Sequence, residues 1–516
     1  MRNNIGLFLG KRAHLNPDME AIVDTATERR LSYRELDLRA NKLANAMRDS
    51  GVKKGDRVAI LMMNGIEYVE SFMGLAKIGA IVVPLNWRLV ADELSFILKD
   101  AGATVMVYGS DFADVIGTLH EGGAAATQIG QWIEFCEDGH DRDLFATDYM
   151  EFTGPASDAG PEIDAGDDDD LFIMYTSGTT GLPKGAQHSH NTAMWAIITF
   201  SITAEFRYKD RFAIALPMFH VGALLPVIVT FYIGGTAILM RQFDPKQMWE
   251  ITEREKLTVN LAVPAMLNFM LMVPEFEKYD YSHLRWIMSG ASPVPASLIE
   301  SYKDIGIEVH QVYGLTEACG PGTLISPDDA MVRIGSAGKA FFHTTVRVVD
   351  DDGKDTAPGV PGELLVQSAH VMKGYWNNPE ATAETIRDGW LHTGDIAIQD
   401  KDGFITIHDR VKDMIISGGE NVYPAELENV ITSHPGVADV AVIGMDSERW
   451  GESPFAVVVR KDEDLTETDI LRHCDGKLAR FKLPKGAVFI DEIPRNPTGK
   501  PLKRLLRDQF PGPAPE

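Results

Sequence analysis

The apolar run Leu171-Phe-Ile-Met-Tyr175, followed at once by Thr176-Ser-Gly-Thr-Thr-Gly-Leu-Pro-Lys-Gly185, restricts the fold more than any other stretch of the chain. Such a run ending in turn residues predicts a short buried strand that delivers the chain into a loop. Gly178, Gly181 and Gly185 would let backbone approach a ligand closely. Thr176, Ser177, Thr179, Thr180 and Lys184 add hydroxyls and an ammonium to the same few residues. Backbone N–H groups, hydroxyls and a cation packed together describe a polyphosphate cradle. It is not a Walker A loop, because G-x-x-x-x-G-K-[ST] is absent and Pro183 precedes the lysine. Turn chemistry alone would also account for a loop this rich in Gly, Ser and Thr.

Around this stretch the chain alternates helical and strand patterns. Ser32-Tyr-Arg-Glu35 has capping-box spacing and opens an amphipathic helix over 36–47. Strands are predicted at 56–62 and 80–84, with a helix at 68–78 between them, the signature of a parallel sheet with crossover helices. Residues 122–166 are weakly patterned, and the run Asp167–Asp170 reads as a solvated loop rather than a metal site, since neighbours on a strand point to opposite faces. From about 335 to 366 short strands alternate with Gly/Pro/Asp turns, one of them Asp350-Asp-Asp-Gly353. With 516 residues, more than one core is expected. A boundary near Asp409-Arg-Val-Lys-Asp413 divides residues 1–409 from a small α+β unit over 414–505, with 410–413 as the connection and 506–516 as a disordered tail.

Composition removes several function classes. The net charge of −26 disfavours nucleic acid and electrostatic adhesion to anionic lipid. Three cysteines without C-x-x-C spacing argue against structural zinc and a disulfide framework, and fit a cytoplasmic protein. Met1–Gly10 is a poor match to a signal peptide. Residues 212–240 carry no Asp, Glu, Lys or Arg, but Pro217, Gly222, Pro226, Gly234 and Gly235 should cut them into strand, loop, helix and strand.

Three further constellations carry chemistry. Tyr313-Gly-Leu-Thr-Glu317 offers a ring for adenine, a hydroxyl for a phosphate oxygen and a carboxylate for Mg²⁺. Trp390-Leu-His-Thr-Gly-Asp395 places a carboxylate after a tight turn, suited to two ribose hydroxyls. Arg495-Asn-Pro-Thr-Gly-Lys500 carries a lysine that could meet two anions. Two other matches are set aside. Gly444-Met-Asp-Ser447 resembles a phosphopantetheine attachment site but lies between two predicted strands, with no room for a helical bundle. His188 and His190, beside Ser189, have no nucleophile-elbow context and read as loop or helix-start residues.

In this order the motifs resemble those of the adenylate-forming superfamily, which includes acyl-CoA synthetases, luciferases and peptide-synthetase adenylation domains. Phe172–Tyr175, Pro217-Met-Phe-His220, Ser417-Gly-Gly-Glu-Asn-Val-Tyr-Pro424 and Arg495–Lys500 look most like bacterial long-chain and very-long-chain fatty-acid–CoA ligases. The resemblance implies an α/β fold: a large N-terminal domain of two doubly wound subdomains plus a β-barrel, and a small mobile α+β C-terminal domain. It implies ATP, Mg²⁺ and CoA, a carboxylic acid converted to acyl-AMP with release of pyrophosphate, and then thioester formation with release of AMP. Site residues follow from the matched motifs. Thr176, Ser177, Gly178, Thr179, Thr180, Gly181, Lys184, Gly290, Ala291, Ser292, Val312, Tyr313, Gly314, Thr316, Asp395 and Arg410 would bind ATP or AMP. Lys500, Thr316, Glu317 and His220 would serve catalysis, with Glu317 on the metal and His220 as an aromatic gate. Lys412 falls on the hinge, and Gly418 and Gly419 would line the CoA tunnel. The acyl pocket would comprise His220, Val221, Gly222, Ala291, Val312, Ala318 and Gly320, with Gly322 adding space. No acid follows Pro217 to pair an α-ammonium, so an apolar acid is favoured over an amino acid. A medium- to long-chain fatty acid leads. An aryl or phenylpropanoid acid, or transfer to a separate carrier protein, stays open, as do a weak peripheral membrane contact and a homodimer.

Overall fold

The computed structural model describes residues 3–512 apart from 138–139, 141, 177–182, 292–293, 411–412, 418–419, 423, 448–449, 476, 479–481 and 496–500. It is a mixed α/β structure with four sheets. An eight-stranded sheet takes its parallel centre from strands Arg57–Leu61, Ile81–Pro84, Val105–Gly109 and Gln131–Phe135. The strand Asp170–Thr176 joins that centre in parallel and then turns back antiparallel into Lys184–Ser189, with Thr176 opposite Lys184. A nine-stranded sheet runs parallel from Glu20–Asp24 through Arg211–Ile214 and Trp286–Ser289 to Val309–Leu315, with antiparallel strands at both edges. The expected barrel takes the form of a five-stranded antiparallel sheet over residues 344–410. A second five-stranded sheet is built from residues 415–490.

Local sequence explains several of these elements. The helix Tyr33–Asp49 starts on a complete capping box, with Ser32 and Glu35 each bonding the other's backbone N–H. Helix Ile66–Ile78 is buried along its whole length, the pattern of a helix packed on all sides. Its charges are paired: Glu67 with Arg29 and Arg39, Glu70 with Arg39, and Lys77 with Asp37. Pairing is what makes such burial tolerable.

The uncharged stretch is divided as its breakers predict, into strand Arg211–Ile214, helix Val221–Ile233 and strand Thr236–Leu239. No helix among the described residues is long and apolar enough to cross a membrane. Pro226, however, sits inside the helix rather than ending it.

Four expectations need correction. Residues 122–166 include the strand Gln131–Phe135 and the helix Tyr149–Thr153. Gly444–Ser447 are the last four residues of the strand Val437–Ser447, paired with Pro454 to Gly451. The tail is ordered further than position 506, because Lys503–Gln509 form a helix whose Leu506 is fully buried beside Ala441, Ile443 and Phe455. His188 is a fully buried residue of the strand Lys184–Ser189, whereas His190 does open the next helix.

Candidate active site

The site forms where the strand Val309–Leu315 of the nine-stranded sheet ends against the edge of the eight-stranded one. Gly290 and Gly314 make this junction possible. A Cβ on Gly290 would lie 2.3 Å from the Val312 carbonyl, and one on Gly314 would lie 1.9 Å from the Gly320 carbonyl. Neither approach tolerates a side chain. Ala291, next to Gly290, adopts φ +68°, a conformation that costs free energy and gathers at ligand sites.

Past Gly314 the chain makes a short 3₁₀ turn, Thr316–Ala318. Glu317 Oε1 accepts a hydrogen bond from the Tyr375 hydroxyl at 2.8 Å, and the Glu317 carbonyl accepts from Met372 N–H at 2.8 Å. The Lys184 ammonium lies 5.3 Å from the centre of the Tyr375 ring, within cation–π range. Tyr375 therefore links the lysine of the first motif to the carboxylate of the second. It stands in the short strand Gly374–Tyr375, paired with Ala186. Sequence reasoning did not single it out. Its signal, an aromatic after glycine in Met372-Lys-Gly-Tyr-Trp376, is weak on its own.

Tyr313 donates to Asp395 Oδ2 at 2.7 Å, with Asp395 largely buried. One side of the Tyr313 ring is closely approached, since a Cβ on Gly322 would fall 2.8 Å from it. Gly394, at φ +68°, forms the turn before Asp395, and Asp395 stands opposite Arg410 in the antiparallel pair. Gly185 proves to be a packing glycine: a Cβ there would meet Ile173 at 2.6 Å and Tyr175 at 3.0 Å within its own hairpin, so the ligand-approach role expected for it belongs elsewhere. Thr176 sits at the loop end of this hairpin, its hydroxyl 3.4 Å from the Lys184 carbonyl.

A second wall lies on the other side of Val312. Gly320, at φ +112°, faces the helix Val221–Ile233. A Cβ on it would approach Leu225 at 3.0 Å and Val221 at 3.8 Å. Val312 and Val221 pack against the same core cluster. Beside Gly222 there is space, the nearest atom to a Cβ being 3.9 Å away. His220 caps this helix. Its Nε2 is buried without a hydrogen-bond partner among the described residues, and burial pushes the ring down from 6.5 to about 3, so it is neutral near pH 7. Ala318 does not join this wall. It is fully buried with Ala186, Val366, Met372 and Leu391 on the far side of the turn, so the acyl-lining position expected for it is not where the chain puts it.

Ser177, Gly178, Thr179, Thr180, Gly181, Ser292, Lys412, Gly418, Gly419 and Lys500 lie outside the described residues, as does the side chain of Arg410. Apart from Ala318, the described candidates lie around one junction, with the Lys184 ammonium, the Glu317 carboxylate and the Thr316 hydroxyl, an apolar wall beyond Val312, and the half-buried Tyr313 bonded to the buried Asp395.

Comparison with known proteins agrees with this geometry. Residues 9–376 match the AMP-binding enzyme family, and residues 426–500 match the AMP-binding enzyme C-terminal domain. A long-chain-fatty-acid–CoA ligase of Mycobacterium tuberculosis is 44% identical over 513 residues, 99% of this chain and 100% of its own length. A feruloyl-CoA synthase of Amycolatopsis is 39% identical over 515 residues, 99% of this chain and 100% of its own. The solved structure of a Mycobacterium tuberculosis fatty acyl CoA synthetase superposes with a TM-score of 0.79 at 44% identity, covering 98% of each chain. The chain belongs to the AMP-binding enzymes of the adenylate-forming superfamily, and within it to the AMP-forming acyl-CoA ligases.

Proposed function

We propose that this enzyme activates a hydrophobic carboxylic acid, a medium- to long-chain fatty acid in the first place, and transfers the acyl group to CoA. One acid oxygen attacks the α-phosphorus of ATP. The bond to pyrophosphate breaks and acyl-AMP forms. The CoA thiol, losing its proton, then attacks the acyl carbon, and AMP leaves. The observation that carries the proposal is the convergence of Lys184, Tyr375 and Glu317 beside the Tyr313–Asp395 pair. The ammonium and the Thr316 hydroxyl suit phosphate oxygens, and Asp395 suits the ribose hydroxyls.

Mg²⁺ fits the same turn, because Glu317 Oε2 has no hydrogen-bond partner among the described residues, and one carboxylate with substrate phosphates is the usual way this ion is held. There it would neutralise phosphate charge. Lys500 is assigned to the α-phosphate and Lys412 to a pivot within 410–413, between an N-terminal domain over 1–409 and a C-terminal domain over 414–505. Gly418 and Gly419 are assigned to the pantetheine path. Three cysteines without C-x-x-C spacing support a cytoplasmic enzyme, and the uncharged stretch 212–240 supports an apolar acid at the wall of helix Val221–Ile233.

That wall supports the substrate class. Val221, Leu225, Val312 and Gly320 are apolar, and His220 is neutral. The similarity to a feruloyl-CoA synthase keeps an aryl acid as the second reading. A panel of carboxylic acids, assayed for AMP formation that needs both ATP and CoA, decides between them. Turnover of saturated C8–C18 acids is expected. Turnover of a cinnamic-type acid alone would overturn the fatty-acid assignment, and AMP release that ignores CoA would point to a carrier protein as acceptor.

A further inference from the structure

Two buried histidines, neither with a part in the adenylation chemistry above, end on the same turn. His188 Nε2 lies 2.8 Å from the Thr316 carbonyl, and His370 Nδ1 lies 2.7 Å from the Ala318 carbonyl. Glu317 is the residue between. A carbonyl only accepts, so His188 is the Nε2–H tautomer and His370 the Nδ1–H tautomer. Their remaining nitrogens face hydroxyls, His188 Nδ1 that of Thr192 at 3.3 Å and His370 Nε2 that of Thr344 at 2.8 Å. With a partner at each ring nitrogen and no exposed surface, neither ring can turn without leaving a buried polar group unpaired. Burial also holds both near 4, so they remain neutral donors at neutral pH.

The two rings arrive from different parts of the fold. His188 is four residues beyond Lys184 on the same strand. His370 lies between the strands Pro361–Ser368 and Gly374–Tyr375, five residues before Tyr375. Tyr375, which bonds the Glu317 carboxylate, and Lys184, which stands over the Tyr375 ring, are thus each tied by a short stretch of chain to a histidine that bonds the carbonyl of a residue flanking Glu317.

We propose that His188 and His370 are positioning residues that clamp the Thr316–Ala318 turn from both sides and fix the direction of the Glu317 carboxylate. The clamp rests on the assignment of that carboxylate to the ATP polyphosphate and its Mg²⁺. Outer partners that orient a ligating group typically carry about 10–100-fold in affinity or activity. The geometry also makes a demand that packing alone does not. Glutamine can offer an amide where Nε2 stood, and asparagine can offer one where Nδ1 stood, so His188→Gln and His370→Asn should hold the turn while the exchanged pair, His188→Asn and His370→Gln, should not.

The test uses the full chain and five measurements: acid-dependent ATP–pyrophosphate exchange, its Mg²⁺ half-saturation, thioester formation from prepared acyl-AMP, the thermal midpoint, and amide hydrogen exchange across residues 315–319. His188→Leu and His370→Leu should lower pyrophosphate exchange by about 10–100-fold and raise the Mg²⁺ half-saturation. Thioester formation from acyl-AMP should change by less than about threefold, and exchange at 315–319 should quicken. The matched amides should retain most of the activity and the exchanged amides should lose it. If leucine unfolds the protein, the two amide pairs decide alone. Equal behaviour of matched and exchanged amides, or equal loss in both half-reactions, would overturn the clamp. Glu317→Gln separates the two ideas: normal pyrophosphate exchange in that variant would remove the Glu317 assignment itself, whereas a defect there with normal His188→Leu and His370→Leu variants would remove only the clamp.

Discussion

His188 and His370 have a partner at each ring nitrogen, whereas His220, on the opposite wall, keeps a buried Nε2 with none among the described residues. The same contrast runs through their surroundings. At the Thr316–Ala318 turn, carbonyls and carboxylate are bonded from two separate stretches of chain, His188 and residues 370–375. At the head of the helix Val221–Ile233, Pro226 has no N–H to give the Gly222 carbonyl, and space lies open beside Gly222. A saturated polar network specifies one geometry, while unpaired buried groups await a partner. On the proposed function, the turn assigned to phosphate charge has its polar groups bonded within the fold, and the wall assigned to the acid keeps a buried nitrogen without a partner among the described residues.

The largest effect expected on this contrast comes from a residue that neither wall supplies. Lys500→Ala should lower acyl-AMP formation by about 10²–10³-fold, as loss of a transition-state charge partner does elsewhere. Thioester formation from prepared acyl-AMP should stay near normal, because the small domain would have turned Lys500 away by then. Rapid-quench measurement of each half-reaction checks this. Equal defects would mean that one fixed arrangement serves both steps.

Next comes acid stability. His188, His190 and His370 are held down from 6.5 to about 4 by burial. A histidine whose folded pKa lies below its unfolded value takes up a proton first in the unfolded chain. Stability is therefore full above pH 6.5 and falls as pH drops towards 4, by about 3 kcal/mol for each ring. Denaturant midpoints at pH 7 and pH 5 should differ accordingly, and His370→Asn should flatten the slope. An unchanged slope would place the burden on other groups.

Tyr375→Phe sharpens the contrast on the saturated side. It removes a hydrogen bond to a carboxylate, worth about 1.5–3 kcal/mol, so adenylation should fall by roughly tenfold or somewhat more while thioester formation changes less. A steady-state comparison of both half-reactions is sufficient. The smallest effect belongs to the open wall. Gly222→Ala fills space without a close contact, so the acid preference should move towards shorter chains by no more than about tenfold, the lower end of what one methylene is worth. A uniform loss over all chain lengths would show that Gly222 does not face the acid.

How much of this was legible in the sequence follows from how local each feature is. The Ser32–Glu35 capping box, the strands at 57–61 and 81–84 and the division of 212–240 depend on neighbouring residues, and the chain spells them out. The Tyr–Gly–Leu–Thr–Glu and Thr–Gly–Asp motifs were readable as chemistry, but the Tyr313–Asp395 bond between them spans 82 residues and has no local sign. Gly185 was misread because a glycine that packs on Ile173 and one that admits a ligand look alike in sequence. His188 reads as a loop or helix-start residue because nothing beside it in the sequence announces a buried strand position, and its burial is made tolerable by the distant Thr316 carbonyl together with Thr192. The helix Lys503–Gln509 was missed for a similar reason. The Pro/Gly-rich end of the chain suggests a tail from 506, but Leu506 finds its core on a strand more than sixty residues earlier.

The central claim is that the acid attacks ATP at the α-phosphorus and leaves its oxygen there. Turnover of a fatty acid labelled with ¹⁸O in its carboxyl group, with ATP and CoA, tests this directly by mass spectrometry of the nucleotide. AMP carrying one ¹⁸O and unlabelled pyrophosphate are expected. Unlabelled AMP, or label in inorganic phosphate, would contradict the claim.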